Sequence, residues 1–367
     1  MLGAQQPIVI SGRVVRMTTR GPSAVAGTTV TLHRIGVAAA GPVDSVTADG
    51  AGRYRFRVAA PDSDALYLPT SRFGGLAYFA SPVRQGGPAG DGEIEVFDTT
   101  SAPVPIRVTG RHLVFSAPDA NGTRDVVDVY ELQNDSVVTR LGTRNRPAFV
   151  AALPSGAAGL KSTQGDFTGE AIVAVPAGAA VVAPVAPGVR QLALRYQLPA
   201  ASFPLSVTLA DSSAVVEVLL EESAGRATGD SLKALGAVTS EGRTFVRFLG
   251  RDMPAGRRLD IVVPGAAAPR GAASWPWLAG LGLLALGAVG WSIRPPRRLA
   301  SREPASGALH EASPASRARE LQAAIQSVEA MLTGTGAAPA SHESLREYRD
   351  QLITELNALL AGTSQAQ

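Results

Sequence analysis

The chain has 367 residues, 45% of them apolar, with 34 basic side chains against 31 acidic ones and a formal charge of +3. So small a charge for this length gives no case for nucleic acid as a partner, because nucleic-acid binding usually needs a clustered basic face. No cysteine is present, which removes disulfides, thiolate metal sites, cysteine nucleophiles and covalent haem attachment together.

The length leaves room for two or three domains. Glycine (39) and proline (26) are frequent, and valine and threonine recur in short runs, a mix that suits short strands joined by turns. Only Lys161 and Lys233 are lysines, so the other 32 of the 34 basic residues are arginines. That bias reads as the mark of a GC-rich bacterial genome rather than as a set of anion contacts. Without disulfides, an exported domain must rest on its apolar core, and the residues ahead of position 275 are numerous enough to build one.

Residues 1–6, Met-Leu-Gly-Ala-Gln-Gln, are too short to be a signal peptide and read as the remnant of a signal cleavage region. From Ile8 the sequence alternates as strands do. Ile8-Val9-Ile10 leads to Gly12-Arg13-Val14, and a loop with Gly21-Pro22 precedes Val25-x-Gly27-x-x-Val30-x-Leu32. Val30 and Leu32 share one face, with Thr29, Thr31 and His33 on the other. Asp49 to Gly52 form a turn, after which Tyr54, Phe56 and Val58 return to the core.

Gly12, Val14, Gly27, Val30, Leu32, Asp49, Gly52, Tyr54 and Phe56 together resemble the pattern of the carboxypeptidase regulatory-like domains, small transthyretin-like β-sandwiches of about seven strands. The resemblance covers roughly residues 7–84. It implies a folding or adhesion module and no peptidase activity, since the zinc-binding catalytic domain is absent. Distant relatives of similar fold sometimes bind carbohydrate. Tyr67-Leu68-Pro69 and Leu76-Ala77-Tyr78-Phe79 read as closing strands, and Arg84 to Gly92 as a linker, so this first sandwich spans 7–90.

From Glu93 to about Val263 some fourteen short candidate strands follow, among them Val104–Val108, Leu113–Ser116, Val126–Leu132, Val189–Leu198, Val215–Leu220 and Phe245–Leu249. Val127, Val129 and Glu131 alternate with Val126, Asp128, Tyr130 and Leu132, so that strand is apolar on much of both faces. Turn residues such as Pro118 to Gly122 and Pro184 to Gly188 separate the runs. The pattern predicts a second sandwich over 91–199 and a third β-rich subdomain over 200–267, or one unit spanning both.

No catalytic constellation emerges. The four histidines, His33, His112, His310 and His342, lie far apart, and no pair has metal-site spacing. His33 and His112 are placed on strands, facing solvent or a neighbouring loop. Glu221-Glu222 ends a strand with its side chains on opposite faces and reads as a solvated strand end. Neither G-x-S-x-G nor a P-loop occurs. The expectation is therefore no catalytic, metal or cofactor residue and no cofactor.

After a linker at 268–274, residues 275–293 read WPWLAGLGLLALGAVGWSI with no charge. Nineteen helical residues cover roughly 28 Å, enough for a hydrocarbon core of about 30 Å. Trp275, Trp277 and Trp291, the only tryptophans, stand at its two ends, where indoles prefer the interface. Arg294, Arg297, Arg298 and Arg302 follow the segment, whereas only Arg270 lies in the fifteen residues before it. Positive charge stays inside, so the tail is cytoplasmic and residues 1–274 are extracytoplasmic, at a bacterial inner membrane. The span holds no Gly-x-x-x-Gly pair.

Residues 294–315 read as a linker, 316–362 as a coiled-coil-like helical hairpin and 363–367 as a disordered end. Leu321, Ile325, Val328 and Leu332 recur at helical spacing before Gly334, Gly336 and Pro339 break the chain. Ser341 can cap a second helix whose stripe is Leu345, Tyr348, Leu352, Leu356 and Leu359. Such short amphipathic helices need each other, a second copy or a partner. The fold class expected is mainly β: tandem β-sandwich ectodomains, one transmembrane helix and a two-helix tail. The expected function is a non-enzymatic envelope scaffold with the bilayer and a tail-bound protein as partners. A tail of this kind with such an ectodomain resembles accessory proteins of bacterial envelope assembly, including those of cytochrome c maturation. The alternatives are a carbohydrate-binding ectodomain and a hydrolase with an unrecognised site.

Overall fold

A computed structural model describes residues 7–35, 41–61, 65–85, 92–163, 165–240 and 242–264. These residues are mainly β, with 24 strands, two single 3-10 turns and no α-helix among them. Among the described residues, no helix is long and apolar enough to cross a membrane. The span at 275–293 with Trp275, Trp277, Trp291, Arg294, Arg297 and Arg298, and the tail stripe Leu345, Tyr348, Leu352, Leu356 and Leu359, lie outside the described residues.

The chain forms two compact units. The first contains β1 (Ile8–Thr18), β2 (Gly21–Ala24), β3 (Thr29–Ile35), β4 (Gly41–Thr47), β5 (Arg53–Val58), β6 (Leu66–Phe73), β7 (Leu76–Phe79), β8 (Val83–Arg84), β9 (Glu93–Val96) and β10 (Asp98–Thr100). One sheet runs β2-β1-β5, with β9 added parallel to β1; the other runs β4-β3-β6-β7, with β8 on β6. Ile10, Val14, Tyr54, Phe56 and Ile94 from the first sheet share a core with Val30, Leu32, Tyr67 and Tyr78 from the second. Two sheets closing on one core are what period-two alternation demands, and the arrangement is consistent with a β-sandwich. The turn into β5 forms as expected, with Asp49 Oδ1 accepting from the backbone of Ala51 and Arg53 at 2.8 Å each. These amides hold the Asp49 carboxyl below the usual carboxylate range. The unit continues through Thr100, ten residues past the expected end of the first module, and also takes Val137–Thr139.

The second unit contains β11 (Ile106–Phe115), β12 (Arg124–Asn134), the end of β13 (Val138–Arg140), β14 (Phe149–Ala151), β15 (Ala158–Ser162), β16 (Ile172–Val175), β17 (Gly178–Val181), β18 (Gly188–Leu198), β19 (Leu205–Thr208), β20 (Ser213–Leu220), β21 (Arg226–Thr228), β22 (Lys233–Ser240), β23 (Arg243–Met253) and β24 (Arg258–Val262). Its frame is a seven-stranded sheet, β15-β18-β12-β11-β20-β23-β22. Only β11 and β20 run parallel, with Gly110 opposite Val215 and Phe115 opposite Leu220. Strands from both sides of residue 200 therefore lie in one sheet.

One face of this sheet is covered by two smaller sheets, β19-β24-β21 and β14-β17-β16. Leu113, Phe115, Val126, Tyr196, Val218 and Phe248 pack with Leu205, Val207, Leu259 and Ile261. Val108, Tyr130, Leu132 and Leu194 pack with Phe149, Ala151, Ala179 and Val181. On the opposite face Val114, Val127, Val129, Ala193, Leu219 and Phe245 form a further buried cluster. Both faces of β12 are thus buried, which is why its sequence is apolar at consecutive positions.

Candidate functional site

The chemistry-bearing side chains of the second unit gather on its three central strands. A bulge between Val108 and Gly110 sets the register of β11 against β12 so that Arg111 faces one side and His112 the other. On the side covered by the small sheets, Arg111 grips Asp128 with two bonds, Nε to Oδ1 at 3.0 Å and Nη2 to Oδ2 at 2.8 Å. Tyr196 donates to Asp128 Oδ2 at 3.3 Å, and the guanidinium lies 4.6 Å from the Tyr130 ring centroid. Burial raises the Tyr130 and Tyr196 hydroxyls well above the usual phenol range, and the Asp128 charge adds to it. Burial opposes the charge on Arg111, yet Asp128 outweighs it and keeps the guanidinium fully protonated. Beside it a cavity of about 10 Å³, lined by Arg111, Tyr130, Ala152 and Asp211, has room for at most one water.

On the other side, His112 is 2% exposed. Its Nδ1 lies 2.9 Å from Glu217 Oε2, the residue opposite it on β20. Arg247 of β23 pairs with Glu217 Oε1. Glu131 Oε1 stands 3.7 Å from His112 Nε2, a charge contact longer than a hydrogen bond, and neither atom has a hydrogen-bond partner among the described residues. Burial disfavours a charged imidazole, but the Glu131 and Glu217 carboxylates outweigh it and lift His112 to about 9. Burial also pushes Glu217 up; His112 and Arg247 override it and hold the carboxyl below its ordinary value.

These positions correct two expectations. His112 does not face solvent or a loop: the apolar residues around it on β11 and β12 enclose it, and two carboxylates compensate its burial. Glu221 and Glu222 are not a solvated strand end. Glu221 takes the Arg243 guanidinium and the Ala117 amide, and Glu222 takes Arg124 through two bonds of 3.0 Å. The Arg124 side chain is 2% exposed and its guanidinium lies over the Phe203 ring. His33 is half-buried, which lowers its pKa. His310 and His342 lie outside the described residues. Among the described residues, no group of three or more His, Asp or Glu is placed to hold a metal ion.

The first unit carries the more open feature. A cleft of about 590 Å³ is lined by Arg13, Arg53, Arg55, Asp49, Glu93 and their neighbours on β1 and β4. Its floor needs glycine. A Cβ at Gly12 would stand 1.7 Å from the Gly92 carbonyl oxygen, and Gly92 itself has φ +62°. That approach lets β9 start its parallel pairing with β1, and Tyr54 anchors it by donating to Gly92 O at 2.6 Å.

Pattern reading did not find Glu217, Arg247, Arg111, Asp128 or the arginine cleft. The available sign was charge inside strands otherwise apolar on both faces: Arg111 next to His112, and Asp128 three positions before Glu131. No protein-family model matches the chain, and no curated protein is significantly similar to it.

Proposed function

We propose that this protein is a non-enzymatic single-pass bacterial envelope protein whose β-rich ectodomain serves as a scaffold and interaction module. Residues 275–293 anchor it in the inner membrane, residues 1–274 are extracytoplasmic, and the helical hairpin at 316–362 binds a partner or a second copy. The observation that carries the reading is the enclosure of the central charged groups of the second unit. His112 with Glu217 on one face and Arg111 with Asp128 on the other form two buried pairs, so their charges join strands instead of meeting a substrate. The likeness of residues 7–84 to carboxypeptidase regulatory-like domains, and of the whole to accessory proteins of envelope assembly, belongs to the same proposal.

The carbohydrate-binding alternative asks for exposed aromatic platforms. Among the described residues the exposed large apolar side chains are Val9, Val43, Val189, Leu235 and Val262, none of them aromatic. The scaffold reading is tested by crosslinking in cells, comparing the full chain with one lacking 294–367. Removing the tail is expected to abolish the crosslinked partner species while leaving the unfolding of the β units unchanged. An unchanged set of crosslinked partners would overturn the assignment of partner binding to the tail.

A further inference from the structure

The outer edge of β5 combines two features that point to one kind of occupant. β5 ends its sheet, with β1 as its only ladder partner among the described strands. Val14 N donates to Gly52 O and Gly12 is opposite Tyr54, so the even-numbered residues of β5 turn their backbone groups toward β1. Arg53, Arg55 and Arg57 therefore turn theirs outward. The Asp49 turn takes those of Arg53, with Asp49 N donating to Arg53 O at 2.9 Å. Among the described residues no backbone partner takes those of Arg55 and Arg57, which present amides and carbonyls along the edge.

The side chains of Arg53, Arg55 and Arg57 are all exposed on the outer face, about 6.7 Å apart along the strand. Arg13 stands directly opposite Arg53 in a pair without hydrogen bonds, the closer of the two cross-strand geometries, where like charges repel. Charges on an edge strand keep unrelated sheets from adding to it. A strand with matching acidic residues escapes that barrier.

We propose that this edge receives an extended acidic segment of a partner protein as an added β-strand, its carboxylates at every second position set against Arg53, Arg55 and Arg57. Alternate positions of the added strand recur at the spacing of the arginines, so each carboxylate meets one guanidinium while the backbone pairs with Arg55 and Arg57. The cleft beside Arg13, Arg53 and Arg55 gives the acidic side chains room. A planar anionic membrane fits less well, because it has no alternating amides and carbonyls to pair with the outward backbone groups of Arg55 and Arg57. Single-stranded nucleic acid fits less well too, because no aromatic side chain among the described residues is exposed for base stacking. The proposal rests on reading the chain as an interaction module, yet peptide binding can fail while tail-dependent crosslinks persist, which separates the two.

The test uses the full chain in a zwitterionic detergent and a fluorescent peptide of about ten residues alternating Glu and Thr. Comparison peptides have the same composition with the glutamates in one block, or lysine in place of glutamate. The alternating peptide is expected to bind at least about tenfold more tightly than either, a difference of about 1.4 kcal/mol. Combined Arg53→Gln, Arg55→Gln and Arg57→Gln substitution should remove that preference with the strand signal in circular dichroism unchanged. Should the triple variant not fold, Arg55→Gln and Arg57→Gln alone should each weaken binding. Equal binding of blocked and alternating peptides would overturn the proposal. So would tighter binding of oligothymidylate or soluble phosphatidylserine, or arginine-dependent self-association through the Glu93-x-Glu95 strand of a second copy.

Discussion

Replacing His112 by Gln should remove a pH-dependent part of the stability of the second unit. His112 is buried between Glu217 and Glu131, and its pKa rises from an ordinary 6.5 to about 9 in the folded chain. The difference corresponds to about 3 kcal/mol of preference for the charged imidazole in the native state. Because the folded value is the higher one, this stabilisation is complete below about pH 6.5 and is lost as pH rises through about 9. The wild-type chain should therefore exceed His112→Gln in unfolding free energy by about 3 kcal/mol at pH 6, and the gap should shrink toward pH 9.5. Urea unfolding followed by the strand signal in circular dichroism, at several pH values for both chains, measures it. Taking the difference between the chains cancels the titration of every shared group that His112 does not itself perturb, Glu217 being the one it does. A gap that stays constant across this range, or widens with pH, would refute the assignment of a charged His112 to this site.

Other substitutions probe separate links. Arg124→Met strips Glu222 of its cation inside the fold and should cost about 3–5 kcal/mol, read from the urea midpoint, with most of it recovered when Glu222→Gln is added. Gly12→Ala forces a methyl group against the Gly92 carbonyl and should destabilise the first unit by about 2–3 kcal/mol in the same assay. Phe245→Ala empties a fully buried site in the cluster around Val127 and Leu219 and should cost about 3–5 kcal/mol.

Local pattern carried most strands, because alternation records which face of a strand is buried, but it split β11, one strand over Ile106–Phe115, into separate runs at Val104–Val108 and Leu113–Ser116. Val30 and Leu32 face the core of the first unit and Thr29 does not; the hairpin at Asp49 forms through the side chain that predicted it. The double burial of β12 was also legible from Val126, Val127, Val129, Tyr130 and Leu132, which put apolar residues on both faces. The site was not, for a physical reason. His112 and Glu217 lie 105 positions apart and meet only because β11 and β20 pair in parallel, a non-local contact that no run of residues announces. The same pairing joins strands from both sides of residue 200, where counting turns had suggested a boundary. Glu221 and Glu222 looked solvated because their partners, Arg243 and Arg124, come from distant strands.

The proposed topology, an extracytoplasmic β-rich part anchored by 275–293 with its tail inside, is tested most directly by cysteine labelling. The chain has no cysteine, so a single Ser101→Cys or Ser341→Cys reports without background. In intact spheroplasts a membrane-impermeant maleimide should modify the residue at position 101 and spare the one at 341 until the membrane is permeabilised. Equal labelling at both positions, or the reverse order, would contradict it.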